Sequence, residues 1–146
     1  MKDHQLFTEK ASSGYVVCFK DACPRHAECL RWLTGQHMPE ELNVCTCVNP
    51  SGKSVGTEQC THFRKAEKVT MARGMTRIFS DDMPKRVENG VRQALIERHN
   101  RTYYFEYRNG TRLISPAMQE EVRQLFRDFG WTRDVEFDEY VEDYVW

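Results

Sequence analysis

All six cysteines of this 146-residue chain, Cys18, Cys23, Cys29, Cys45, Cys47 and Cys60, fall within its first sixty residues, and the next 86 residues hold none. That segregation constrains the fold. The N-terminal half must gather sulfur for a metal, for disulfides or for redox chemistry, or bury it as ordinary thiols. The C-terminal half has to be held by its apolar core alone.

The compartment decides between these uses. The first residues, MKDHQLFTEKASSGY, are polar and charged where a secretory leader would carry an apolar stretch. No run approaches the about 20 apolar residues that span a bilayer. A cytoplasmic protein with no membrane role is therefore expected, and disulfides are rare in a reducing compartment. A metal or plain buried thiols become the leading readings, and a trimmed leader with three disulfides the lesser one.

A zinc site or an iron–sulfur cluster needs about four soft donors brought together from short segments. Here the first segment is Cys18-x4-Cys23-x5-Cys29, and the second is Cys45-Thr46-Cys47 followed by Cys60-Thr61-His62. Cys45 and Cys47 alternate with Val44, Thr46 and Val48, as small buried residues of a strand would. Cys18, Cys23, Cys29 and Cys60 lie near turns and element ends, where ligand geometry is easier to build. Those four are the expected metal ligands, with His26 and His62 as substitutes. The spacing matches neither the paired C-x2-C knuckles of a zinc ribbon nor a ferredoxin run; zinc is the expected metal, an iron–sulfur cluster the alternative, and six buried or incidental thiols the reading without a metal. A catalytic thiol, Cys23 activated by His26, lacks an identifiable third group.

The periodicities predict α+β architecture: a Cys-rich N-terminal lobe over 15–62, packed on a helix–β-hairpin–helix lobe over 63–146, within one domain. Residues 1–14 read as polar and poorly ordered. Tyr15–Phe19 and Leu42–Val48 read as strands, Asp21–Gly35 as a helix, and Phe63–Met75 as helical up to Gly74. Met83–His99 carries the stripe Val87, Val91, Ala94, Leu95 of an amphipathic helix. Tyr103–Tyr107 and Arg112–Ile114 around Asn109-Gly110 predict the hairpin, since that dipeptide suits a type I′ turn. Ser115 and Pro116 then open a helix with Met118, Val122, Leu125, Phe126 and Phe129 on one face, and Gly130 closes it.

Charge is unevenly spread. Arg64 to Arg101 holds ten Lys/Arg against five Asp/Glu, whereas Asp134 to the end holds six acidic residues and no basic ones. Docking of the tail on the basic middle is the simpler expectation; a nucleic-acid surface is the alternative. Tyr103, Tyr104, Phe105 and Tyr107 among Arg101, Arg108 and Arg112 have the composition of a stacking platform for single strands. If they form a strand, however, Tyr103, Phe105 and Tyr107 belong to the core and Tyr104 to the surface. Phosphate-binding, dinucleotide, metalloprotease and serine-hydrolase motifs are all missing from the chain. Asp81-Asp82 reads as an acidic helix start, and His99 as a helix-end residue. The sequence thus predicts an interaction or regulatory module with a structural metal, with no catalytic residues and a protein partner ahead of a nucleic acid.

The string Cys23-PRHAE-Cys29-Leu30-Arg31, the turn Val48-Asn49-Pro50, and the stretch RTYYFEYRNGTRLISPAMQEEVRQLFRDFGW resemble a family of small bacterial proteins of unknown function. The resemblance covers most of the chain. It implies a bacterial cytoplasmic origin and one co-evolved unit, and it carries no activity, ligand or fold.

Overall fold

The computed structural model describes residues 2–146 and is α+β, as the periodicities predict. It consists of two compact units, one running up to Glu67 and including Tyr144–Trp146, the other Lys68–Asp143.

In the second unit, strand β1 (Lys68–Arg73) pairs with strand β2 (Glu139–Tyr144). The Thr70 hydroxyl donates to Glu142 at 2.7 Å, and Arg73 meets Glu139 at 3.3 Å, so the strands run antiparallel. The basic middle and the acidic tail therefore dock on each other. On the other edge of β1, Ala72 and Ile114 exchange both backbone bonds, at 2.9 and 2.8 Å. Helices α3 (Lys85–His99), α4 (Arg101–Asn109) and α5 (Pro116–Asp128) complete the unit. Their core holds Val87, Val91, Leu95, Tyr104, Val122 and Phe126, together with Met75, Ile78 and Phe137 from the loops. The buried Gln119 amide donates to the carbonyls of Thr70 and Ile114, both at 3.0 Å, and so satisfies backbone where α5 crosses the strand.

Local signals account for α5. The Ser115 hydroxyl accepts from the Met118 N–H, Pro116 occupies the first turn, and Gly130 follows in the left-handed region at φ 87°. The same rules overturn the predicted hairpin, for Tyr103–Tyr107 lies in α4. Asn100 ends α3 at φ 71°, and its side chain accepts from the Tyr103 N–H at 2.9 Å, capping the next helix. Asn109-Gly110 is that helix's C-terminus, with Gly110 at φ 82°. A three-to-four-residue period replaces a period of two, so the expected burial inverts. Tyr104 is 1% exposed, while Tyr103 and Phe105 lie at the surface. Phe63–Met75 is not helical either, because backbone pairing on both edges makes its second half β1.

In the first unit, α1 (Lys2–Ser12) replaces the expected disordered segment, and Phe7 and Ala11 are buried. Phe7 packs with Leu30 and Tyr144. The predicted helix over 21–35 is broken into a 3-10 turn (His26–Glu28) and α2 (Leu30–Gly35), with Cys29 extended between them. Cys29 forms a bridge to Lys65. The flanking bonds are Leu30 N–H to Arg64 O at 2.7 Å and Ala66 N–H to Glu28 O at 2.8 Å. This pairing with a distant segment outweighs local helix preference. The two predicted strands reduce to a single parallel bridge, Val17 with Cys47.

Candidate functional site

Four backbone features of the first unit converge. The Val17–Cys47 bridge delivers Cys18, whose N–H donates to the Arg31 carbonyl at 3.0 Å. Cys23 occupies a turn closed by its N–H on Lys20 O, and its own carbonyl accepts from the His26 N–H and from His26 Nδ1 at 2.7 Å. Cys23 thus lies outside any helix, although the sequence predicts one over Asp21–Gly35. Cys29 is held extended by the Lys65 bridge. Cys60 enters from a turn whose Cys60 N–H donates to Thr57 O at 3.1 Å.

All four of these cysteines line one cavity of about 20 Å³, with His26 and His62 beside them. Val48, Val55, Trp32 and Phe63 supply an apolar wall, and Lys20 and Arg31 also line the cavity. Two glycines permit the approach. A Cβ at Gly35 would stand 2.7 Å from the Cys18 carbonyl oxygen, and one at Gly56 (φ +83°) would stand 2.8 Å from Lys20 Cε. All six cysteines are free thiols. Cys29 is buried, Cys18, Cys23 and Cys60 are half-buried, and Cys45 and Cys47 are exposed rather than packed on a strand face.

Burial raises the Cys18 thiol pKa above its ordinary value. The Lys20 backbone N–H opposes the rise, and Cys29, Cys23 and Cys60 add to it through mutual repulsion. That is the opposite of the lowered pKa that marks a nucleophilic thiol. The four thiols share the cavity without closing into a shell: among the described residues, no group of three or more His, Cys, Asp or Glu stands in a metal-ligating arrangement.

The surrounding side chains are anchored. Trp32 Nε1 donates to Asp21 at 2.9 Å, and the His26 ring meets the Trp32 ring edge-on at 4.4 Å. The Arg25 guanidinium lies 3.5 Å over the Phe63 ring. Lys20 and Arg31 carry no sequence signal for this role, because their partners are backbone carbonyls from distant segments.

Elsewhere, the aromatic residues weighed as a stacking platform are dispersed around α4. Arg112 covers Tyr103 at 4.2 Å, Arg101 covers Phe105 at 5.2 Å, and Tyr104 is in the core. Asp82 accepts from Ser80 and Arg133, which hold its carboxyl below the usual value. His99 pairs with Glu121 at 3.1 Å. Two clefts of about 190 and 80 Å³ flank Trp131 and Arg133, lined mainly by exposed charges of both signs.

A family model covers the whole chain, residues 1–146. The protein belongs to DUF6078, a family of unknown function. No curated protein and no solved structure matches it. Among the described residues of this DUF6078 protein, no helix is long and apolar enough to cross a membrane.

Proposed function

We propose that the protein binds one thiophilic metal ion, zinc first, through Cys18, Cys23, Cys29 and Cys60, and that the ion is structural. The observation that carries this reading is the convergence of four thiols, from segments up to 42 positions apart in sequence, on one small cavity. A volume of about 20 Å³ is little more than one water-sized sphere. It suits a single ion better than a cluster of several irons and sulfides. To reach zinc–sulfur distances of about 2.3 Å the side chains must turn inward and lose their protons.

The chain around the cavity explains why an ion would matter. Between α2 and β1, residues 36–67 form no helix or strand beyond isolated bridges. Loops of that length are uncommon in a compact fold without something to fasten them. Four thiolates would close the coordination shell and leave no open position for catalysis. The protein then acts as an interaction or regulatory module of the cytoplasm, with a protein partner, rather than as an enzyme.

The test is elemental analysis and a visible spectrum of protein purified under nitrogen without chelator. About one zinc per chain and no colour is the expected result, with metal loss and a lower Tm in Cys23→Ser. Iron with sulfide would replace this reading by an iron–sulfur one. No metal and six titratable thiols would overturn it.

A further inference from the structure

Cys45 and Cys47 stand apart from the thiol-lined cavity. Every residue from 40 to 47 is exposed, Val44 to 83%, and buried Val48 anchors the end of the run. Cys47 is the fixed member of the pair. It bridges Val17, with Val17 N–H to Thr46 O at 3.1 Å and Val48 N–H to Val17 O at 2.8 Å, so the chain is extended through it. Cys45 is the free member. Among the described residues, Asn43, Val44 and Cys45 make no hydrogen bond, and the preceding turn closes at Leu42 N–H to Pro39 O, 3.1 Å. Core packing therefore explains neither thiol, and a bend over 43–45 breaks no hydrogen bond.

Spacing supplies the chemistry. Two residues of extended chain span about 6.6 Å, at the upper end of the about 4.4–6.8 Å between the Cα atoms of disulfide partners. Side chains at i and i+2 of an extended chain share one face. Cys45 and Cys47 can thus close a disulfide once the chain bends, and the small ring is strained. Strained or exposed disulfides are the readily reduced ones, and those of a reducing compartment are typically transient and redox-active.

We propose that Cys45-Thr46-Cys47 is a dithiol that exchanges with disulfides of low molecular weight. The Cys45 thiolate attacks one sulfur of R–S–S–R, forming Cys45–S–S–R and expelling RS⁻, which takes up the proton that Cys45 released. The Cys47 thiolate then attacks Cys45 Sγ. That step closes the Cys45–Cys47 disulfide and expels the second RS⁻, which takes up the Cys47 proton. Two protein thiols are oxidised, and one R–S–S–R is reduced to two RSH. Cys18, Cys23, Cys29 and Cys60 take no part, so the exchange is independent of any metal at the cavity.

The test incubates the reduced full chain with oxidised glutathione under nitrogen and measures the reduced glutathione released. Acid quenching, alkylation and mass spectrometry then locate the oxidised cysteines. Wild type should release two glutathiones per chain and lose two hydrogens, with Cys45 and Cys47 alone protected from alkylation. Cys47→Ser should release one and stop at the mixed disulfide on Cys45. The double variant Cys45→Ser, Cys47→Ser should release next to none in the time that wild type needs. A double variant that releases as much as wild type would assign the exchange to the cavity thiols and overturn the proposal. A wild type that stops at glutathione adducts, or that releases no glutathione, overturns it as well. Zinc content of the same sample tests the metal reading separately, so either reading can fail alone.

Discussion

The Phe129 ring lies directly against the backbone of Gly90, close enough that a Cβ at position 90 would overlap the ring. Gly90 is in the middle of α3, where glycine weakens a helix by about 1 kcal/mol relative to alanine. Close packing of α5's end on α3 explains why it is there. Gly90→Ala should nevertheless destabilise the protein, because overpacking costs about 1–3 kcal/mol and exceeds the helix gain. Denaturant titration should show a lower midpoint, partly restored in the double variant with Phe129→Leu. A higher midpoint for Gly90→Ala alone would contradict the packing.

Tyr103 and Tyr104 separate the helix from the predicted hairpin. Tyr104 is buried, its hydroxyl within hydrogen-bond reach of the Arg92 guanidinium. Tyr103 lies at the surface beneath Arg112. Tyr104→Ala should cost about 3–5 kcal/mol, and Tyr103→Ala less than about 1 kcal/mol. Reversal of that order in chemical denaturation would restore the strand reading.

Asp138 should make stability depend on acid pH. Burial raises its carboxyl pKa, but hydrogen bonds from the Thr76 hydroxyl and N–H and from the Arg77 N–H outweigh this and leave it below the usual value. A depressed folded-state pKa means stability that is fully present above the unfolded carboxylate value of about 3.9. It is lost as pH falls through the lower folded value. Asp138→Asn should lower stability at pH 7 and flatten this acid-limb dependence. An unchanged acid slope in Asp138→Asn would show that other carboxylates carry it.

Thiol accessibility should divide the cysteines. Under native conditions Cys45 and Cys47 are exposed and should react with a maleimide well before Cys29, which is 8% exposed. On the proposed zinc reading, the double variant Cys45→Ser, Cys47→Ser should bind as much zinc as the wild type and keep its Tm, unlike Cys23→Ser. Loss of zinc from that double variant would move the ligand set towards the Cys45–Cys47 segment.

The sequence by itself determined α3 and α5, whose stripes and caps lie within one continuous segment. The Ser115 cap, Pro116 and Gly130 work through bonds spanning three or four residues, and any fold containing α5 must satisfy them. It also singled out Cys18, Cys23, Cys29 and Cys60 from the other two cysteines, since turns and element ends are where side chains from separate segments can meet. Tertiary structure decided the rest. Asn109-Gly110 suits a hairpin turn or a helix end equally, and only the burial of Tyr104 in the core selects the helix. The break at Cys29 and the strand at Lys68–Arg73 depend on backbone partners far away, Lys65 for the first, Ile114 and β2 for the second. Lys20 and Arg31 line the cavity because carbonyls of Val16, Pro50, Val55 and His62 hold them there. A hydrogen bond to a backbone carbonyl is open to any residue type, so it leaves no mark in the sequence, and only the folded chain brings those carbonyls together.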